Sequence, residues 1–189
     1  SDFEKYVPDR NMKDYTTALL WSRVFLTGKS FTSFSGSEIA LALLFPMETL
    51  FESYVAALLK KQLTPMGYTV SAQEKSYYLF DDPKRFAMRP DIVIRRKSDD
   101  AIFIMDTKWK ILSDSKVNYG ISQADMYQMY AYQKKYGAEN ITLLYPKTEK
   151  GLPDNIEFKS LDNVVVKVLF VDLFDVQNSI SHILETILM

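Results

Sequence analysis

Arg89-Pro90-Asp91-Ile92-Val93-Ile94-Arg95-Arg96-Lys97-Ser98-Asp99-Asp100-Ala101-Ile102-Phe103-Ile104-Met105-Asp106-Thr107-Lys108-Trp109-Lys110 is the stretch on which the fold turns. It predicts two strands, Asp91–Ile94 and Ala101–Met105, joined by a polar turn at Lys97–Asp100, because β-branched and aromatic runs flank turn-forming residues. In an antiparallel hairpin the start of one strand lies beside the end of the next, so Asp91 and Asp106 are expected as neighbours. Alternation along the strand points Lys108 the same way as Asp106. Two carboxylates held together repel each other and want a cation, and an all-oxygen set suits Mg²⁺ or Mn²⁺. A lysine beside such an ion can orient or deprotonate a water. The bland alternative is two solvated strand-end acids with Lys108 as an ordinary surface charge.

Composition narrows the field. The chain has 189 residues, 47% hydrophobic and 25% charged, which suits one globular domain with or without an extension. A net charge of -1 gives no global basic field, so any nucleic-acid site must be a local patch or lean on a partner. There is no cysteine, which excludes disulfides, thiolate zinc sites and cysteine nucleophiles and fits a reducing cytoplasm. The one histidine, His182, falls in a helical pattern near the end of the chain and reads as a surface or boundary residue. The longest apolar run, Ile39 to Met47, contains Pro46 and falls short of the roughly 18 residues a membrane span needs. No signal peptide is evident, and the chain starts without methionine.

Around the hairpin, periodicity predicts a helix over Asp14–Leu26 and a stronger one over Met47–Leu63, whose Glu48 and Glu52 lie one turn apart. A first-turn acid at Glu48 answers the helix dipole, whereas Glu52 sits deeper and is the better candidate to point into a site. Gly28-Lys29-Ser30 invites a phosphate-loop reading, but that motif calls for a glycine five positions earlier, where Arg23 stands. Strands are expected at Gly67–Ala72, Lys75–Phe80, Ile141–Tyr145 and Val164–Val171, and loops at Lys110–Gly120 and Lys147–Lys159. A third helix, Ser122–Tyr136, has Ser122 as its cap and Gly137 as its stop. It puts Gln128 and Tyr132 on one face and, in the bland reading, Met126, Met129 and Tyr130 in the core. A final helix is expected over Asp175–Leu188.

Pro90-Asp91 followed by Asp106-Thr107-Lys108 resembles the PD-(D/E)XK nuclease signature, and the order of elements matches the αβββαβ core of restriction-endonuclease-like proteins. Three further pieces are similar to the McrC family: the helix Met47-Glu48-Thr49-Leu50-Phe51-Glu52-Ser53-Tyr54-Val55, the strands Arg89-Pro90-Asp91-Ile92-Val93 and Met105–Lys110, and the helix Asp125-Met126-Tyr127-Gln128-Met129-Tyr130-Ala131-Tyr132. The likeness covers roughly Phe45 to Val171. It implies an α/β fold, a mixed central sheet flanked by helices, with residues 1–45 a helical lead-in and 46–189 the nuclease domain. It implies an Mg²⁺-dependent DNA endonuclease, with Mn²⁺ as a substitute, in the cytoplasm of a bacterium or archaeon. Such subunits serve modification-dependent restriction and antiviral defence beside an McrB-like AAA+ GTPase motor.

Carried over position by position, Asp91 and Asp106 would hold the metal, Glu52 would complete its shell, and Lys108 would serve the water. Gln128 and Tyr132 match a Q-x-x-x-Y element that lies near DNA in RecB-like nucleases. Arg85, Arg89, Lys110 and Lys116 are candidate phosphate contacts. The second acid is Asp rather than the commoner Glu, and the motor-engaging N-terminal region of the family would be reduced to residues 1–45. Cutting both strands needs two sites, which implies a homodimer or assembly on the motor. The rival readings are a RecB-like exonuclease and a non-catalytic module that keeps the fold to bind DNA or a partner.

Overall fold

The computed structural model describes residues 46–148 and 152–188. The helix expected at Asp14–Leu26 lies outside them. Helix α1 (Met47–Leu63) has the expected bounds, and its buried residues Phe51, Val55, Leu59 and Leu63 recur every four positions as one stripe. Glu48 sits in its first turn and Lys60 and Lys61 in its last, as the helix dipole favours. A short 3-10 turn, Thr64–Met66, closes on Gly67 at φ 88°. That left-handed geometry starts strand β1 (Tyr68–Ala72) one residue later than expected.

The acidic hairpin forms as strands β4 (Ile92–Arg96) and β5 (Ile102–Thr107). Helix α2 (Gln123–Tyr136) follows, with the Ser122 hydroxyl accepting from the Ala124 amide at 3.2 Å and Gly137 at φ 61° ending it. Then come β6 (Asn140–Pro146), β7 (Asn155–Lys159), β8 (Val165–Val171) and α3 (Val176–Leu188). The main sheet runs β1-β4-β5-β6-β8-β7. The pairs β1·β4, β4·β5 and β7·β8 are antiparallel, while β5·β6 and β6·β8 are parallel. The parallel step from β5 to β6 is possible because α2 carries the chain back across the sheet.

Helices α1 and α3 cover one face, packing Leu59, Leu63, Ile183 and Ile187 on Ile92, Ile94, Phe103 and Met105. Helix α2 covers the other, with Met129, Tyr132 and Tyr136 against Val93, Ile104, Ile141 and Leu143. The central strands are apolar on both sides because both faces are covered. Among the described residues no helix is long and apolar enough to cross a membrane.

Three expectations are corrected. The strand expected at Lys75–Phe80 is shorter and shifted: β2 (Tyr78–Asp81) leaves the main sheet and pairs only with β3 (Lys84–Ala87) in a separate ribbon. The loop expected at Lys147–Lys159 contains edge strand β7, whose inward residue Ile156 alternates with exposed Asn155 and Glu157. Tyr130, placed in the core with Met129, is 41% exposed and donates to Asp162, while Tyr132 and Tyr136 take the inner face.

Candidate active site

Strands β4 and β5 pair Ile92 with Met105 and Val93 with Ile104. One further step along that register sets Asp91 opposite Asp106. Asp91 lies just before β4, and its Oδ2 accepts from the Thr107 amide at 2.7 Å and the Thr107 hydroxyl at 2.9 Å. Those two bonds fix the carboxylate across the end of β5. Asp106 shares the α2-facing side of the strand with Ile104 and is 1% exposed. Its Oδ2 has the Lys108 ammonium 2.5 Å away yet is buried without a well-aligned hydrogen bond. A second carboxylate, Asp125 in the first turn of α2, lies 3.5 Å from the same ammonium.

Asp91 and Lys108 open onto a cavity of about 470 Å³, whose walls also include Glu48, Glu52, Trp109, Lys110 and Asp125. Asp106 lies behind this wall and reaches it through Lys108. Glu52 comes from α1, which is seated at the strand ends partly by Phe51 against the Trp109 ring at 5.5 Å. Its Oε1 accepts from the Gln73 amide nitrogen at 3.0 Å. The Gln73 backbone in turn donates to the Asp91 carbonyl at 2.9 Å, extending the β1·β4 pairing by one step. The Lys110 ammonium donates to the Gly120 carbonyl and so ties down the loop beside the cavity.

The charges are mutually frustrated. Burial raises the Asp106 carboxyl from an ordinary 3.8 to about 6, and the Asp91 charge adds to this while Lys108 opposes it. Burial works against the Lys108 charge, but Asp106, Asp125 and Asp91 outweigh it and raise its pKa. Burial also raises Glu52, with Gln73 opposing and Asp91 assisting. An acid layer that gathers Asp91, Asp106, Asp125 and Glu52 around Lys108 suits a bound cation. Among the described residues no three acids or histidines close into a ready cage. One or two carboxylates, with waters and substrate phosphate making up the rest, is the ligand set that Mg²⁺ takes.

The structure therefore brings Asp91, Asp106, Lys108, Glu52 and Lys110 together. Arg89, Gln128 and Tyr132 line a neighbouring cleft of about 280 Å³ instead. Gln128 donates to the Tyr132 phenol at 2.7 Å. Tyr132 lines only this cleft but feels the acid pair: burial, with the Asp106 charge second, pushes its pKa up to about 12. Sequence reasoning missed Asp125 and Gln73. Asp125 carried a signal, three residues past a capping serine on the helix that crosses the acid hairpin. Gln73 carried none, since only the β1·β4 register brings it beside Asp91.

The family model for the McrBC 5-methylcytosine restriction system component matches residues 1–146. The chain belongs to that family. The match begins at residue 1, so it includes the segment 1–45 that the sequence likeness left out. Among solved structures, a chain of a half-complex from the tetradecameric assembly of Thermococcus gammatolerans McrB AAA+ hexamers with bound McrC has a similar fold, at TM-score 0.63 and 18% identity. The likeness covers 97% of this chain and 41% of that one. The present McrBC-family chain thus spans about two fifths of that chain's length. Comparison with curated proteins found no match.

Proposed function

We propose that this McrBC-family chain is a metal-dependent DNA endonuclease subunit, a PD-(D/E)XK hydrolase that works with an McrB-like AAA+ GTPase motor. The observation that carries the reading is the register-matched pair Asp91 and Asp106 with the Lys108 ammonium on it, at the edge of a cavity that Glu52 enters. Asp91 and Asp106 would hold Mg²⁺ or Mn²⁺, with Glu52 reaching the ion directly or through its water. Such an ion lends positive charge to a phosphate and lowers the pKa of a nearby water.

This chain's own groups do the rest. Asp91 is pinned by Thr107 and presents a fixed oxygen. The raised pKa of Lys108 keeps it an ammonium at neutral pH, so it contributes charge to the phosphate oxygens rather than taking a proton. Glu52, held by the Gln73 amide, would complete the metal shell or bind its water. The name of the structural neighbour, McrB hexamers with bound McrC, favours a motor partner for this chain too. Two such sites, from a homodimer or a motor assembly, would cut both strands of DNA in the cytoplasm.

The reading is tested with supercoiled plasmid, the chain, an McrB-like motor, GTP and Mg²⁺. An endonuclease nicks or linearises the plasmid and stops when the metal is chelated. A RecB-like exonuclease leaves supercoiled DNA intact and degrades linear DNA, and a non-catalytic module spares both. Lys108→Ala is expected to slow cutting by about 10²–10³-fold, the size typical of removing one transition-state donor, with Mn²⁺ binding retained. Loss of Mn²⁺ binding in that variant would assign Lys108 to the metal shell's assembly instead.

A further inference from the structure

The β2–β3 ribbon stands outside the main sheet and pairs only with itself. A two-stranded hairpin gains little from exposed apolar groups, yet Phe86 is 71% and Phe80 56% exposed, with Leu79 beside them. The two phenyl rings meet edge-to-face at 5.9 Å. Phe86 sits at φ 58°, a left-handed backbone that a bulky side chain rarely adopts and that breaks strand alternation. Strain that holds an exposed aromatic in place is a mark of a working surface. Arg85 pairs across the ribbon from Phe80, Arg89 lines a cleft with Phe86, and the Lys84 ammonium lies over the Tyr78 ring at 5.9 Å; none of the three has a carboxylate partner among the described residues. The ribbon's own Asp81 is neutralised by Lys135 of α2.

Its base is anchored by the Tyr77 ring 4.2 Å from Tyr136 and by the Met88 amide on the Tyr77 carbonyl at 2.9 Å. The cleft between ribbon and α2, lined by Leu79, Phe86, Arg89, Gln128 and Tyr132, ends on the tyrosine that feels the Asp106 charge. Aromatic wedges flanked by cations without carboxylate partners among the described residues, in a cleft that neighbours the acid site, have the chemistry of a nucleic-acid grip.

We propose that the β2–β3 ribbon grips duplex DNA beside the phosphate to be cut. Phe80 and Phe86 press into a groove and unstack a base step, and Lys84, Arg85 and Arg89 hold phosphates. The groove is the minor one, from which apolar wedges open base steps and kink the duplex toward the major groove. The proposal rests on the nuclease reading above.

The test is binding of a fluorescein-labelled 20-base-pair duplex carrying one 2-aminopurine, with Ca²⁺ in place of Mg²⁺, read by anisotropy and 2-aminopurine emission across salt. The wild-type chain is expected to raise the emission. Phe80→Ala/Phe86→Gly is expected to bind about 10-fold more weakly and lose the emission change, with an unchanged salt slope. Glycine suits the positive φ at position 86, so the variant's melting temperature should hold. Lys84→Gln/Arg85→Gln is expected to flatten the salt slope by about 2.

Ribbon variants that match wild type in affinity, emission and slope overturn the proposal. Cutting that remains sensitive to Asp106→Asn would leave the nuclease reading standing. Unchanged DNA binding with a lower sedimentation mass makes the ribbon a protein contact and also overturns it. A wild-type chain that binds no duplex overturns it as well, and takes the nuclease reading with it only if plasmid also stays uncut beside the motor.

Discussion

Asp106→Asn is expected to lower DNA cutting at least about a thousandfold while making the metal-free protein more stable at neutral pH. The loss of rate follows from removing a buried charge opposite Asp91, since metal charge stabilisation is worth several kcal/mol. The gain in stability follows from the raised pKa. Folding lifts the Asp106 carboxyl from 3.8 to about 6, so the folded state binds the proton more tightly than the unfolded state. Stability therefore falls as pH rises from about 4 through about 6, and the deficit is fully present above that. Asparagine removes the deficit, which is at most about 3 kcal/mol with the opposing pull of Lys108 already counted in it. Melting in chelator should show a rise of several degrees at pH 7.5 that vanishes near pH 4. A variant destabilised at pH 7.5 would mean that the Lys108 pair outweighs the burial cost and that the site is not frustrated.

Phe51→Ala is expected to cost about 3–5 kcal/mol, the second large effect. Phe51 is 3% exposed, belongs to the core between α1 and the sheet, and touches Trp109 at 5.5 Å. Its loss opens a cavity where α1 meets the end of β5, and the neighbouring residue is Glu52. In a denaturant titration the midpoint should fall with an unchanged slope. Set against a typical stability of roughly 5–15 kcal/mol, that loss would leave a marginal domain, and Phe51→Leu should recover most of it. A cost below about 1 kcal/mol would contradict the packing of α1 at the site.

Local pattern explains why so much of the site was readable. The apolar runs of β4 and β5 with a polar turn between them fix one register, and that register alone puts Asp91 across from Asp106. Alternation then gives Lys108 its direction. Apolar periodicity over Met47–Leu63 gave α1 its bounds but not its inner face: Leu50 and Tyr54 are exposed, and the buried stripe is Phe51, Val55, Leu59 and Leu63. What was hidden depends on pairing partners far along the chain. Tyr78–Asp81 is extended in either setting, and only a competing partner in Lys84–Ala87 draws it out of the main sheet. Strand β7 has too few apolar residues to signal itself and exists because β8 offers an open edge. Tyr130 and Tyr132 are the same residue type two positions apart, so composition could not say which one faces inward.

The account stands most directly on divalent-ion binding by the acid pair, and isothermal titration of the metal-free chain with Mn²⁺ measures it. Wild type should take up Mn²⁺ with release of protons near pH 6, where Asp106 titrates, and Asp91→Asn/Asp106→Asn should show no uptake at millimolar ion. Equal Mn²⁺ binding by the wild type and the double variant would contradict it.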